Sequence, residues 1–281
     1  MQLKNYSLGK WIEGDGDGIP LINAVNDEII TYASSDGLDF NAMLNYARKF
    51  GGSALRKMTF QERGRMLKAL ALFLTEKKGA YYAVSYKTGA TKADSWIDID
   101  GGIGTLFAYA SLRRKLPNQS FCLDGDLAPL SKSNTFIGHH LLVPKEGVAI
   151  HINAFNFPIW GMLEKISVNL LAGMPAIVKP ATVSSYLTEV VVKDIIASGI
   201  LPEGSLQLIC GSARDLLNNV TSQDVVTFTG SATTGRMLRA NPRMIEESVP
   251  FNMEADSLNC SVLGLDAKPG TPDFDIFIKE V

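Results

Sequence analysis

Four residues that follow apolar runs carry the chemistry this sequence could do. Glu254, in VPFNMEADSLNC, stands between one apolar run and a second, SVLGLDA. A carboxylate with an apolar surround acquires the raised pKa of a general base, while a structural ion pair fits the same position equally well. Asn156, in INAFNFPIWG, lies after a predicted strand and before a predicted helix. Its amide could donate to a developing oxyanion, but a helix cap is favoured by position alone. Lys179 closes the apolar strand AIVK ahead of Pro180. A ribose hydroxyl or a phosphate would suit its ammonium, and so would bulk water reached by snorkelling. In FTGSATTG, Gly230 allows a tight turn, Ser231 caps the next helix and Gly235 lets that helix pack close. A phosphate fits that helix N-terminus, although no Lys-Ser/Thr pair follows to make a P-loop.

Other reactive side chains point to less. His139, His140 and His151 lie in or beside apolar strands without metal-ligand spacing, so they read as core or interface histidines and no metal site is expected. Glu13, Asp15 and Asp17 alternate as in a calcium loop but lack its third aspartate and distal glutamate, so a hairpin tip is expected. No G-x-S-x-G elbow for a serine hydrolase occurs. Cys122, Cys210 and Cys260 form no CxxC pair.

The positions of these residues depend on the elements around them. KWIEGDGDGIPLINAVNDEIITYAS predicts short strands broken by a Gly/Asp turn. A long helix follows, opening with Thr59 and Glu62 in capping-box spacing and stopping at Gly89. KADSWIDIDGGIGTLFAYASLRRKL predicts a second helix, whose Gly101, Gly102 and Gly104 suit close packing better than phosphate binding. Between Asn118 and Pro144 the chain reads as polar loop with one β-rich piece, TFIGHHLLVPKEG. From Gly147 strands and helices alternate: GVAIHINAF, FPIWGMLEKISVNLLAG, PAIVKPA, SSYLTEVVVKDIIASG, GSLQLICG, ARDLLNNV, DVVTFTGS, ATTGRMLRANPR and the strand entered by IEESVPFNME. This spacing predicts an α/β fold, a parallel sheet with helices on both faces. In such sheets ligands bind beyond the carboxyl ends of the strands, where all four candidates fall.

The bulk numbers exclude several classes. With 27 basic and 29 acidic residues the formal charge is −2, and no basic stripe suits a nucleic-acid backbone. No apolar run approaches bilayer length, the first residues lack a signal-peptide core, and the unpaired cysteines suit a reducing compartment. A cytoplasmic protein with neither a nucleic-acid nor a membrane partner is expected.

Taken in order, four segments resemble the aldehyde dehydrogenase superfamily: INAFNFPIWG, VKPAT, FTGSATTG and MEADSLN. From about Gly9 to Val281, the chain is most similar to the dehydrogenase half of the bifunctional ring-opening enzymes of phenylacetate degradation. MTFQERGRMLKA, HINAFNFPIWGMLEK, LICGSARDLL and SQDVVTFTGSATTG carry that likeness. The resemblance implies NADP-dependent oxidation of a CoA-linked semialdehyde, with an oxepin-CoA hydrolase domain elsewhere in the protein and assembly as a homo-oligomer. It implies catalytic roles for Asn156, holding the oxyanion, and Glu254, activating the water that hydrolyses a thioester. It implies cofactor contacts at Lys179, Thr182, Gly230 and Ser231. Residues 1–117 would be the first strands and helices of a Rossmann-like coenzyme-binding domain, 118–146 its loop and oligomerisation strands, and 147–281 its NADP-binding core.

Three departures from the family pattern matter. Thr182 stands near where NAD-preferring relatives place a glutamate, which favours NADP. Ala255 and Asp256 replace smaller glycines next to Glu254. The Gly-Gln-x-Cys nucleophile segment does not occur, and Cys260 reads as buried core within a next strand. The expectation is that the catalytic and hydratase domains lie beyond Val281, so that these residues alone bind NADP weakly or not at all and do not turn over aldehyde. A stand-alone nucleotide-binding module or a structural assembly piece is the alternative.

Overall fold

The computed structural model describes residues 2–257 and 260–280. Lys4–Ser7 (β1) and Lys10–Glu13 (β2) form an antiparallel pair, and Ile19–Ile22 (β3) and Ile29–Ala33 (β4) form a separate hairpin. Phe40–Tyr46 (α1) begins at Asp39, whose carboxylate accepts from the Ala42 amide at 2.8 Å, and continues through a π-helical stretch, Ala47–Gly52, into Ser53–Lys57 (α2). Phe60–Ser85 (α3) opens on the expected capping box: Thr59 accepts from the Glu62 amide at 3.2 Å, and the Glu62 carboxylate accepts from the Thr59 amide at 2.7 Å. Thr91 and Asp94 repeat the device at the start of Lys92–Ser111 (α4).

Cys122–Pro129 (β5) and Ile137–Leu142 (β6) form a second hairpin. β5 lies where the composition suggests loop. Its strand character comes from cross-strand bonds to β6 rather than from its own Asp- and Gly-containing sequence. The elements that follow are Ala149–Ile152 (β7), Pro158–Ala172 (α5), Ala176–Lys179 (β8), Ser185–Ala197 (α6), Leu206–Leu208 (β9), Val225–Gly230 (β10), Ala232–Arg239 (α7), Pro242–Glu246 (α8), Phe251–Ala255 (β11) and Pro272–Glu280 (α9). Two helix readings change. ARDLLNNV keeps only a short 3-10 turn, Leu216–Asn219, because so few residues cannot offset helix nucleation. ATTGRMLRANPR breaks before Pro242, and Asn241 caps α8 through the Arg243 amide at 2.9 Å.

One seven-stranded sheet runs β11-β10-β7-β8-β9-β1-β2, parallel from β11 to β9 and antiparallel beyond. Strand alternation sends successive side chains to opposite faces. Ile150, Ile152, Ile177 and Phe228 pack with α1, α8 and the 3-10 turn, whereas Val178, Leu206 and Leu208 join the core beneath α3, α4, α5 and α6. α4 and α5 pack through the predicted glycines: a Cβ on Gly101 would strike the Trp160 ring, and one on Gly102 would lie 2.9 Å from the Trp160 Cα. Gly104 faces open space and takes no part.

Candidate active site

From β7 the chain steps outward through β8 and β9, then returns to place β10 on the other side of β7. The sheet therefore has a topological switch point between β7 and β10, where a crevice opens beyond the strand ends. A cleft of about 880 Å³ lies there, and it brings together Asn156, Lys179, Thr182, Gly230, Ser231 and Glu254.

On the β8 side, the Lys179 ammonium donates to the Thr182 hydroxyl at 3.4 Å, and that hydroxyl donates to the Gly211 carbonyl at 3.4 Å. Lys179 makes no ion pair among the described residues. Burial holds its pKa below the ordinary lysine value. An ammonium poorly solvated and without a carboxylate is primed to take an anion. Ser231 caps α7 as expected, its hydroxyl accepting from the Thr234 amide at 3.2 Å. Gly235 is buried against Phe228 and Met253, and a Cβ there would collide with the Met253 sulfur. The Asp256 carboxylate, from the turn after β11, accepts from the Ala232 amide at 3.2 Å and so sits at the N-terminus of α7.

On the β11 side, Glu254 is exposed and accepts from the Thr229 hydroxyl at 3.1 Å. The apolar surround expected for it is not built by the described residues, because β11 is the edge of the sheet and no strand covers its free side. Cys260 is likewise not core: it is exposed, and residues 260–264 form no strand. An apolar run becomes a buried strand only where a sheet edge and a core both receive it, and residues 260–264 neither pair with the open edge of β11 nor enter a core. Leu258 and Asn259, which belong to the MEADSLN motif, lie outside the described residues. Cys210 is buried, which pushes its thiol pKa up, and Cys122 starts β5. None of the three cysteines lines the cleft.

Asn156 is exposed in the loop before α5 and does not cap that helix; its N-cap residue is Phe157, with no side-chain cap. The cap comes from Asp98 on α4, whose carboxylate accepts from the Ile159 amide at 3.0 Å and the Trp160 amide at 2.7 Å. Asp98 is buried, and desolvation raises its pKa to about 6 despite those two donors. The Asn156 amide is thereby left to the cleft.

A smaller cavity of about 360 Å³ adjoins Glu254 and is lined by His151, Lys165, Thr227 and Asn252, among others. His151 is a core histidine: Nε2 faces the Asn169 side-chain carbonyl at 2.8 Å and Nδ1 faces the Thr227 hydroxyl at 2.7 Å. Because that carbonyl only accepts, Nε2 carries the proton and Thr227 donates to Nδ1. Burial lowers its pKa to about 4. His139 and His140 are exposed on β6, and no metal-holding cluster occurs among the described residues. Motif reading misses Asp98, Thr229 and Asn153, and notes Asp256 only as a departure beside Glu254. Thr229 and Asn153 carry a local signal, each standing at a strand end.

A model of the aldehyde dehydrogenase family matches residues 11–268. The 3,4-dehydroadipyl-CoA semialdehyde dehydrogenase of Aromatoleum evansii is 45% identical over 282 residues, covering 100% of this chain and 55% of that protein. The D-glyceraldehyde dehydrogenase (NADP(+)) of Picrophilus torridus is 27% identical over 84% of this chain and 47% of its own. The chain thus spans about half the length of these curated relatives. Among solved structures, a betaine aldehyde dehydrogenase Y450L mutant from Staphylococcus aureus in complex with NAD+ matches 100% of this chain and 54% of its own, with TM-score 0.78 and 20% identity.

Proposed function

Because the chain belongs to the aldehyde dehydrogenase family, we propose that its cleft is the cofactor-facing half of the active site of an NADP-dependent dehydrogenase. The substrate class is a CoA-linked semialdehyde, oxidised to the acid. One observation carries the cofactor reading: Lys179 and the Thr182 hydroxyl stand together at and just past the end of β8, with no carboxylate paired to the lysine among the described residues. A 2′-phosphate can accept from both groups, while a bare ribose diol would need an acceptor that Thr182 does not supply as a glutamate would. When bound, the nicotinamide would supply the hydride acceptor.

The chain's own residues then divide the work. The exposed Asn156 amide donates to the oxyanion that develops on the substrate carbonyl. Glu254, steered by Thr229, takes a proton from the water that releases the acid. Gly230 and Ser231 turn the chain so that α7 points its first amides at the pyrophosphate. No cysteine among the described residues lines the cleft, so the nucleophile is assigned to none of Cys122, Cys210 and Cys260. The CoA-linked substrate is supported by the name of the Aromatoleum relative, and NADP by that of the Picrophilus relative. Place in phenylacetate catabolism and fusion to an oxepin-CoA hydrolase rest on the segment resemblance. So does cytoplasmic homo-oligomerisation through the β5–β6 hairpin, whose Leu123, Leu127, Phe136 and Leu141 are exposed.

Ligand-observed NMR titration to millimolar concentrations tests the cofactor reading. The 281-residue chain should bind 2′,5′-ADP at least tenfold more tightly than 5′-ADP, and Lys179→Ala should erase the difference. Equal binding of the two nucleotides would overturn the NADP assignment. Steady NADPH formation from a semialdehyde by these residues alone would overturn the assignment of the nucleophile.

A further inference from the structure

Asn153 directly follows β7 and lines the cleft, is 4% exposed, and has neither amide nitrogen nor amide oxygen hydrogen-bonded among the described residues. A buried carboxamide with two donors and an acceptor unpaired is costly and uncommon, and it calls for a complementary partner. Register says where that partner lies. Ile152 is level with Phe228, and Thr229 is level with Glu254, so one step along the strands Asn153, Thr229 and Glu254 form a single transverse row. Strand alternation fixes the face. Asn153 shares its side with His151, toward α5, and a Cβ on Gly161 of α5 would lie 3.9 Å from the Asn153 Cβ and Cγ. Lys179 is level with Ile152 and shares that residue's side, the opposite face.

A dinucleotide held at one end by Lys179 therefore crosses the sheet's edge, and its reacting end comes to lie on the α5 side with Glu254. Adjacent strands are about 4.8 Å apart, so Asn153 and Glu254 stand roughly 10 Å apart with Thr229 as the floor between them, enough for a flat ring. We infer that Asn153 is a ligand of the nicotinamide half, its carboxamide pairing with the ring's own carboxamide. This rests on the dinucleotide reading above. The two amides are self-complementary, each offering a donor to the other's acceptor and an acceptor to the other's donor.

The test compares the 281-residue chain with Asn153→Leu, an apolar replacement of similar size, titrated with 2′,5′-ADP, NADP+ and the 3-acetylpyridine analogue of NADP+, which lacks the amide donors. The substitution should leave 2′,5′-ADP binding unchanged, which also establishes that the variant folds. It should weaken NADP+ on the order of tenfold, the loss of two neutral hydrogen bonds, and weaken the analogue less. Unchanged NADP+ affinity, or equal losses for all three ligands, overturns the assignment while leaving the dinucleotide reading intact. Failure of the parent chain to bind 2′,5′-ADP overturns both.

Discussion

Asp256 offers a sharp test of how the cleft handles an anion. Its φ of 47° is left-handed, and its carboxylate takes the Ala232 amide, the first donor of α7. Both facts make the residue an intramolecular occupant of the place proposed for the pyrophosphate. Replacement by glycine relieves up to about 1 kcal/mol of backbone strain. It also removes a helix-terminal carboxylate worth about 0.5–1 kcal/mol. The stability of Asp256→Gly should therefore stay within about 1 kcal/mol of the parent, as followed by urea unfolding. Binding should change more. Two pyrophosphate charges about 5 Å from the carboxylate are repelled by about 1.7 kcal/mol at the dielectric of water. Physiological salt reduces this to about 1 kcal/mol, or roughly fivefold in affinity. Asp256→Asn, which tolerates the same backbone and loses only the charge, should reproduce most of the gain. Calorimetric titration of both variants with NADP+ at low and at 0.5 M salt (about 10 and about 4 Å screening) reads the effect, which should shrink at high salt. If neither variant binds NADP+ more tightly at low salt, the N-terminus of α7 is not the pyrophosphate subsite.

Two further outcomes follow from buried groups away from the cleft. Asp98, raised to about 6, contributes stability that is full below its ordinary value of 3.8 and lost as pH rises through 6; His151, lowered to about 4, contributes stability that is full above 6.5 and lost as pH falls through 4. Between pH 4 and 6 the two slopes oppose, so relative to the parent chain Asp98→Asn should lose melting temperature on acidification and His151→Gln should gain it; parallel curves for both would refute the linkage. Arg63 is fully buried, donates to the Leu55 and Met58 carbonyls at 3.1 and 2.9 Å, stacks under Phe60 at 4.5 Å, and has its pKa lowered to about 10 by burial. Since it lacks a carboxylate ion-pair partner among the described residues, its packing should matter more than its charge: Arg63→Ala should cost about 3 kcal/mol and Arg63→Met about 1, and equal losses in chemical unfolding would contradict that.

What was legible in the sequence is what is written locally. The alternation from Gly147 onward contains β7, β8, β9, β10 and β11 because each strand is a short apolar run closed by Gly, Pro or a polar cluster. Thr59 and Glu62 announce α3 because a capping box needs only four residues. Asn156, Lys179, Gly230, Ser231 and Glu254 could be chosen because each stands at or just after the end of such a run, Thr182 only through the family resemblance, and one cleft does gather them. The remaining features depend on partners far along the chain. Asp98 reads as one acid among several in α4, yet it caps a helix 61 residues later and so frees Asn156 from the cap that position alone favours. Asn153 reads as a polar residue near a strand end, and only the register of β7 with β10 and of β10 with β11 sets it level with Glu254. The misreading of Cys260 has the same origin in reverse: an apolar stretch was credited with a neighbour, and beyond β11 the described sheet has none. Glu254 stands on that same edge strand, and the apolar surround that a general base requires is not built there by the described residues.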